Sequence, residues 1–206
     1  MSAPDIRAVL FDMDGVLYAY DFEARLGLLE SALEVSKEDI RSKIFDSGFD
    51  DQHDQGLIDL DSYISGIADR LGVPVRVGQW LAARKWAMAP EPVMLDLARA
   101  LKANHQIALL TNNGQFLADA VAEVAPELPE IFEDRMFFSG VVGLSKDFSA
   151  SFATLLNKLD WAPAQTLFVD DHAGYIEQAA AAGLHTHLFT DIDSLRATLA
   201  EFNVAV

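Results

Sequence analysis

The chain has 206 residues, 51% of them hydrophobic, enough to bury a real core as one large domain or a domain carrying an insertion. Fifteen Lys+Arg against 32 Asp+Glu leave a net charge of -17, which repels nucleic-acid backbones and anionic membrane surfaces and makes neither an expected partner. No apolar run approaches the roughly 20 residues that span a bilayer, and none near the N-terminus reads as a signal peptide. A cytoplasmic protein is the expectation, and the absence of cysteine excludes disulfides and thiolate zinc sites.

Ala8 to Phe11 is a short apolar run ended by Asp12 and the turn-forming pair Asp14-Gly15, and it reads as a buried strand. From Asp21 to about Trp86 the periodicity becomes helical. Leu26, Leu29 and Leu33 recur at helical spacing, as do Ile64, Ile67 and Leu71, with Ser36, Asp59 and Asp61 as candidate N-caps. After Pro90 and Pro92 the pattern alternates. It predicts helix 93–103, strand 106–110, helix 114–124, strand 135–138, helix 149–159, strand 166–169, helix 173–182 and strand 184–189. This is the signature of an α/β fold, a doubly wound parallel sheet, with residues 1–17 and 90–206 forming the core and 18–89 a helical insert.

Polar residues at the ends of several parallel strands converge on the crevice outside the sheet. Asp12 and Asp14, two apart at a strand end, suit a nucleophile and a proton carrier, since a carboxylate attacking phosphorus forms a hydrolysable acyl phosphate. Asp14-Gly15 also fits a plain hairpin turn. Thr111 and Asn112 precede a helix N-terminus whose free N–H groups suit an anion, although helix capping explains them too. Lys146 is a solvated lysine or the positive charge that screens a phosphate from Asp12. Asp170 and Asp171, adjacent and aimed at a crevice already holding Asp12, call for a cation; Mg2+ suits one or two carboxylates with water and phosphate oxygens, and Mn2+ and Ca2+ are the alternatives.

The order Asp-x-Asp-Gly-Val (12–16), Thr-Asn (111–112), Lys146 and Asp-Asp (170–171) resembles the haloacid dehalogenase superfamily of phosphohydrolases along the whole chain. The insert is similar to the mobile helical cap of its first subclass, and the layout is similar to small sugar-phosphate phosphatases of the glucose 1-phosphate type. The phosphatase domain of soluble epoxide hydrolases is another similar group. The resemblance implies Asp12 as nucleophile and metal ligand, and Asp14 as acid/base with its carbonyl on the metal. It further implies Thr111, Asn112 and Lys146 on the phosphate of a small phosphorylated metabolite, and Asp171 as the direct acidic ligand with Asp170 beside it or acting through water. The dehalogenase branch lacks an aspartate at the Asp14 position. Two departures stand out: Asp147-Phe148 follow Lys146 where the family has proline, with Lys158 as a fallback lysine, and Tyr175 replaces a common asparagine.

Other residues carry blander expectations. His53, between Asp51 and Asp54, reads as a polar loop or solvated face rather than a metal ligand. Trp80 and Trp86 are expected to anchor the insert to the sheet domain. His172 reads as a surface histidine, and Tyr18 and Tyr20 as hinge residues that pack or touch substrate. Against phosphatase stand a phosphomutase using the same covalent intermediate and a phospho-aspartate signalling module. The signalling module places its acidic pair on the first strand and has no room for a long helical insert. The insert's basic residues are scattered in sequence and outnumbered by acids, which disfavours the second phosphate site a mutase requires.

Overall fold

A computed structural model describes residues 5–205. Seven strands and twelve α-helices follow in chain order: β1 (Ala8–Phe11), β2 (Tyr18–Tyr20), α1 (Phe22–Leu33), α2 (Lys37–Ile40), α3 (Phe49–Asp54), α4 (Leu60–Leu71), α5 (Val77–Trp86), β3 (Met88–Pro90), α6 (Pro92–Lys102), β4 (Gln106–Thr111), α7 (Gln115–Val124), α8 (Glu127–Phe132), β5 (Met136–Phe138), α9 (Ser139–Val142), α10 (Ser149–Leu159), β6 (Thr166–Asp170), α11 (Ala173–Ala181), β7 (His185–Leu188) and α12 (Ile192–Glu201). A π-helical turn, Arg41–Phe45, continues α2. No helix among the described residues is long and apolar enough to cross a membrane.

Five strands form one parallel sheet in the order β5-β4-β1-β6-β7. Phe11 is in register with Leu109 on one side and Val169 on the other, so Asp12, Thr111 and Asp170 leave the sheet at the same edge. The two-residue period of a strand divides the core. Val9 and Phe11 of β1 pack with Leu97 and Leu101 of α6 and Leu195 and Leu199 of α12. Ala8 and Leu10 face Phe152, Leu155 and Leu156 of α10 and Ala179 of α11.

Between β2 and β3, which pair antiparallel with Tyr18 opposite Pro90 and Tyr20 opposite Met88, lies the helical insert. Its own core unites Leu26 and Leu29 of α1, Ile40 and Ile44, Tyr63 and Ile67 of α4, and Trp80 and Ala83 of α5. Ser36 and Asp59 cap α2 and α4 by accepting backbone N–H bonds from Asp39 and Ser62. Asp61, expected as an alternative cap, lies in the first turn of α4, where its charge complements the helix dipole.

The tryptophan expectation fails in two ways. Trp86, at the end of α5, is 70% exposed, because that face of the helix meets solvent. Trp80 is fully buried but inside the insert, stacked 6.0 Å from the Phe45 ring and donating to Tyr63 Oη. The sheet domain meets the insert instead through Phe116 of α7, which joins the insert's core, and through α3.

Candidate active site

The first strand ends in a tight turn rather than a hairpin. Asp12 N–H donates to Val169 C=O at 2.9 Å, and the N–H groups of Leu17 and Tyr18 both return to Met13 C=O. Gly15 sits in the turn at φ +80°, a conformation costly for residues with a Cβ. A Cβ there would lie 2.2 Å from Asp171 Oδ2, so the glycine also makes room for the acidic pair.

At the end of β4, buried Thr111 accepts from Asn113 Nδ2 at 2.7 Å, and the same amide reaches Asp14 Oδ2 at 3.3 Å. Asn112 ties down the loop after α9: its Oδ1 accepts from Lys146 N–H at 2.9 Å, and its Nδ2 lies 3.4 Å from Ser145 Oγ and from Asp147 Oδ2. Ser145 Oγ donates to Asp147 Oδ2 and accepts from Asp147 N–H. These bonds hold the loop, in which Asp147 and not a proline follows Lys146. The expectation that the N-terminus of α7 faces an anion is corrected for two of its amides. Gly114 N–H donates to Asp54 Oδ1 at 2.7 Å and Phe116 N–H to His53 Nε2 at 3.1 Å, so the insert caps that helix.

Lys146 is a buried cation of the site. Its Nζ lies 2.6 Å from Asp12 Oδ1 and 2.6 Å from Asp170 Oδ2, with 1% of its side chain exposed. Asp170 Oδ1 accepts from His172 N–H at 2.7 Å. The Tyr175 ring centroid lies 4.7 Å from Nζ, covering the ammonium. Burial pushes the Asp12 carboxyl up to about 8; Lys146 pulls it down and Asp170 pushes it up. Burial works against the Lys146 charge, but Asp12 and Asp170 carry its pKa upward, and it stays an ammonium. Lys158, the fallback, is exposed on α10 beside the Phe137 ring.

Asp12, Asp170 and Asp171 each offer a carboxylate oxygen within 4.8 Å of the others. Three hard oxygen donors of net negative charge suit a divalent cation of the magnesium type, and the Asp170 oxygens are already engaged by Lys146 and His172 N–H. A cavity of about 500 Å³ is lined by Asp12, Asp14, Thr111, Asn112, Lys146 and Asp171, together with Tyr20, Asn113, His172 and Tyr175. Asp170 lies behind Lys146, fully buried.

The roles of two arginines at this site escaped sequence reasoning. Arg84 of α5 crosses from the insert to place Nη2 2.5 Å from Asp14 Oδ2. Arg25 of α1 donates to Tyr20 Oη at 3.0 Å, so two of the insert's scattered arginines converge above the site. Tyr18 packs, with its hydroxyl on Glu127, whereas Tyr20 lines the cavity. His53 is buried, not solvated, because α3 presses it against Gly114, where a Cβ would fall 2.5 Å from the imidazole Cδ2. His172 is exposed, with its ring 4.2 Å from that of Tyr175.

Comparison with known proteins identifies the family. The model of the haloacid dehalogenase-like hydrolase family matches residues 6–183, and the chain belongs to that family of hydrolases. It is 25% identical over 190 residues to the sesquiterpene phosphatase astK of Aspergillus oryzae, covering 86% of this chain and 87% of that one. Among solved structures it resembles the HAD family enzyme bt-2542 of Bacteroides thetaiotaomicron in complex with magnesium and inorganic phosphate, with TM-score 0.79, 22% identity and coverage of 92% and 98%. A predicted HAD-like hydrolase of Porphyromonas gingivalis superposes with TM-score 0.83 at 20% identity, covering 95% of this chain and 98% of that one.

Proposed function

We propose that the chain is a magnesium-dependent phosphatase that hydrolyses a small phosphate monoester, a sugar phosphate, through an aspartyl-phosphate on Asp12. The observation that carries this reading is the buried Lys146 held between Asp12 and Asp170, beside Asp14 and Thr111, at the ends of three adjacent parallel strands. Asp12 attacks phosphorus while the bond to the leaving oxygen breaks, and Asp14 gives that oxygen its proton. Water then attacks the acyl phosphate, Asp14 takes the water's proton, and Asp12 is released with inorganic phosphate. Lys146 and Thr111 hold the phosphate oxygens; Asn112 shapes the loop that presents Lys146. Asp12, Asp171 and the Asp14 carbonyl would hold magnesium, with Asp170 behind them, and the bound ion would neutralise the charge of the incoming phosphate.

Residues 18–89 serve in this reading as the cap over the site. A second cavity of about 280 Å³, between α3 and the Lys146 loop, is lined by Asp51, Asp54, Gln55, Asn112, Asp147 and Tyr175. So polar a wall favours a leaving group rich in hydroxyls over a terpenoid chain, which requires apolar walls. A mutase requires cations for a second phosphate. Arg84 is already paired with Asp14, and Asp50 and Asp54 lie beside Arg25 and Arg84, so water is favoured as acceptor. The test is a panel of phosphate monoesters assayed with magnesium: sugar phosphates should release phosphate fastest, and a panel without turnover would reject the proposal.

A further inference from the structure

We infer, resting on that reading, that Arg84 is a positioning residue for Asp14: carried on the insert, it grips Oδ2 and so fixes the direction of the carboxyl group. Two donors converge on Oδ2, Arg84 Nη2 at 2.5 Å and Asn113 Nδ2 at 3.3 Å. Asp14 Oδ1 is buried without a hydrogen-bond partner among the described residues. A carboxylate held by one oxygen has its other oxygen fixed in direction, which an acid/base group requires.

Arg84 is itself held. Only 4% of its side chain is exposed, and its guanidinium lies 4.3 Å from the Tyr20 ring centroid. Tyr20 Oη accepts from Arg25 Nη1, and the Arg25 guanidinium sits 5.0 Å and 5.3 Å from the Phe45 and Trp80 rings in the insert's core. The insert in turn is seated on the sheet domain by the caps that Asp54 and His53 supply to α7. The Arg84 grip on Asp14 therefore depends on the insert being docked, whereas Asn113 holds the same oxygen from the sheet domain.

The test compares wild type, Arg84→Gln and Arg84→Lys on an alkyl sugar phosphate and on 4-nitrophenyl phosphate, whose phenolate leaves without a proton. Arg84→Gln should lower kcat on the alkyl ester by about 100-fold, within the range of general acid-base catalysis, with little change in KM. On the aryl ester it should give a rapid burst of nitrophenolate, matching the folded enzyme fraction, followed by slow turnover, because the second step still needs Asp14. Arg84→Lys should recover part of the loss. Should Arg84→Gln fail to fold, Tyr20→Leu, which removes the ring beneath the guanidinium, should give the same pattern more weakly. A raised KM with kcat intact, equal losses on both esters without a burst, or unchanged kinetics would each overturn the role of Arg84. A wild type inactive on both esters would instead sink the phosphatase reading, and this role with it.

Discussion

Lys146 Nζ and Asp12 Oδ1 lie 2.6 Å apart in the interior, and the same ammonium is the buried counterion of Asp170. Removing it leaves two buried carboxylates facing each other, and breaking such a pair costs on the order of 3–5 kcal/mol. Lys146→Ala should therefore lower unfolding stability without magnesium, and it should cut turnover by at least about 100-fold because the phosphate loses its fixed charge. Lys158→Ala, on the exposed face of α10, should change turnover by less than about twofold. Steady-state kinetics of the two variants checks the ranking, and the reverse order would assign the phosphate lysine to Lys158.

The acidic pair divides its labour by environment. Asp170 is buried with both oxygens engaged, whereas Asp171 is exposed at the crevice beside Gly15. Chelation should abolish turnover and magnesium restore it. Asp171→Ala should weaken magnesium binding, measured by titration calorimetry, more than Asp170→Ala. Asp170→Ala should show the larger loss of stability, because it strips Lys146 of a partner. Metal-independent turnover would contradict this assignment.

His53 links insert and sheet domain in a neutral form. Phe116 N–H donates to Nε2, which assigns the proton to Nδ1, 3.3 Å from Ile58 C=O. Burial lowers its pKa, so the folded value lies below the unfolded one. As pH falls through the unfolded value of roughly 6.5, the unfolded chain takes up a proton that the folded ring refuses, and stability declines. His187, also held low by burial, contributes in the same direction. His53→Gln should shrink the fall in Tm between about pH 7.5 and 5.5, at a cost on the order of 1 kcal/mol at the upper pH. An unchanged slope would contradict the neutral docking role.

The sheet was legible because its strands are apolar runs stopped by polar residues: Ala8–Phe11 before Asp12, and Leu167–Val169 before Asp170. The ribbon β2–β3 was not, since three-residue strands, one ending in Pro90, carry no periodicity. Helix α12 also went unread, although Asp191 caps it and Leu195 and Leu199 bury one face. The motif aspartates and Lys146 could be picked out by their places at strand ends. Arg84 could not, because beside Lys85 it looks like a solvated charge, and only a contact across 70 positions joins it to Asp14. His53 and Trp86 were misjudged for the same reason: flanking residues suggest exposure or burial, but docking of the insert decides it.

The central claim is that Asp12 carries the phosphoryl group to water. Reaction of wild type and Asp12→Asn with a sugar phosphate in heavy-oxygen water, with magnesium present, tests it most directly. The account predicts that wild type releases inorganic phosphate bearing the label together with the free sugar, and that folded Asp12→Asn releases essentially none, since an amide cannot form the acyl phosphate. An isomeric phosphoester formed without labelled phosphate, or comparable turnover by the folded Asp12→Asn variant, would contradict it.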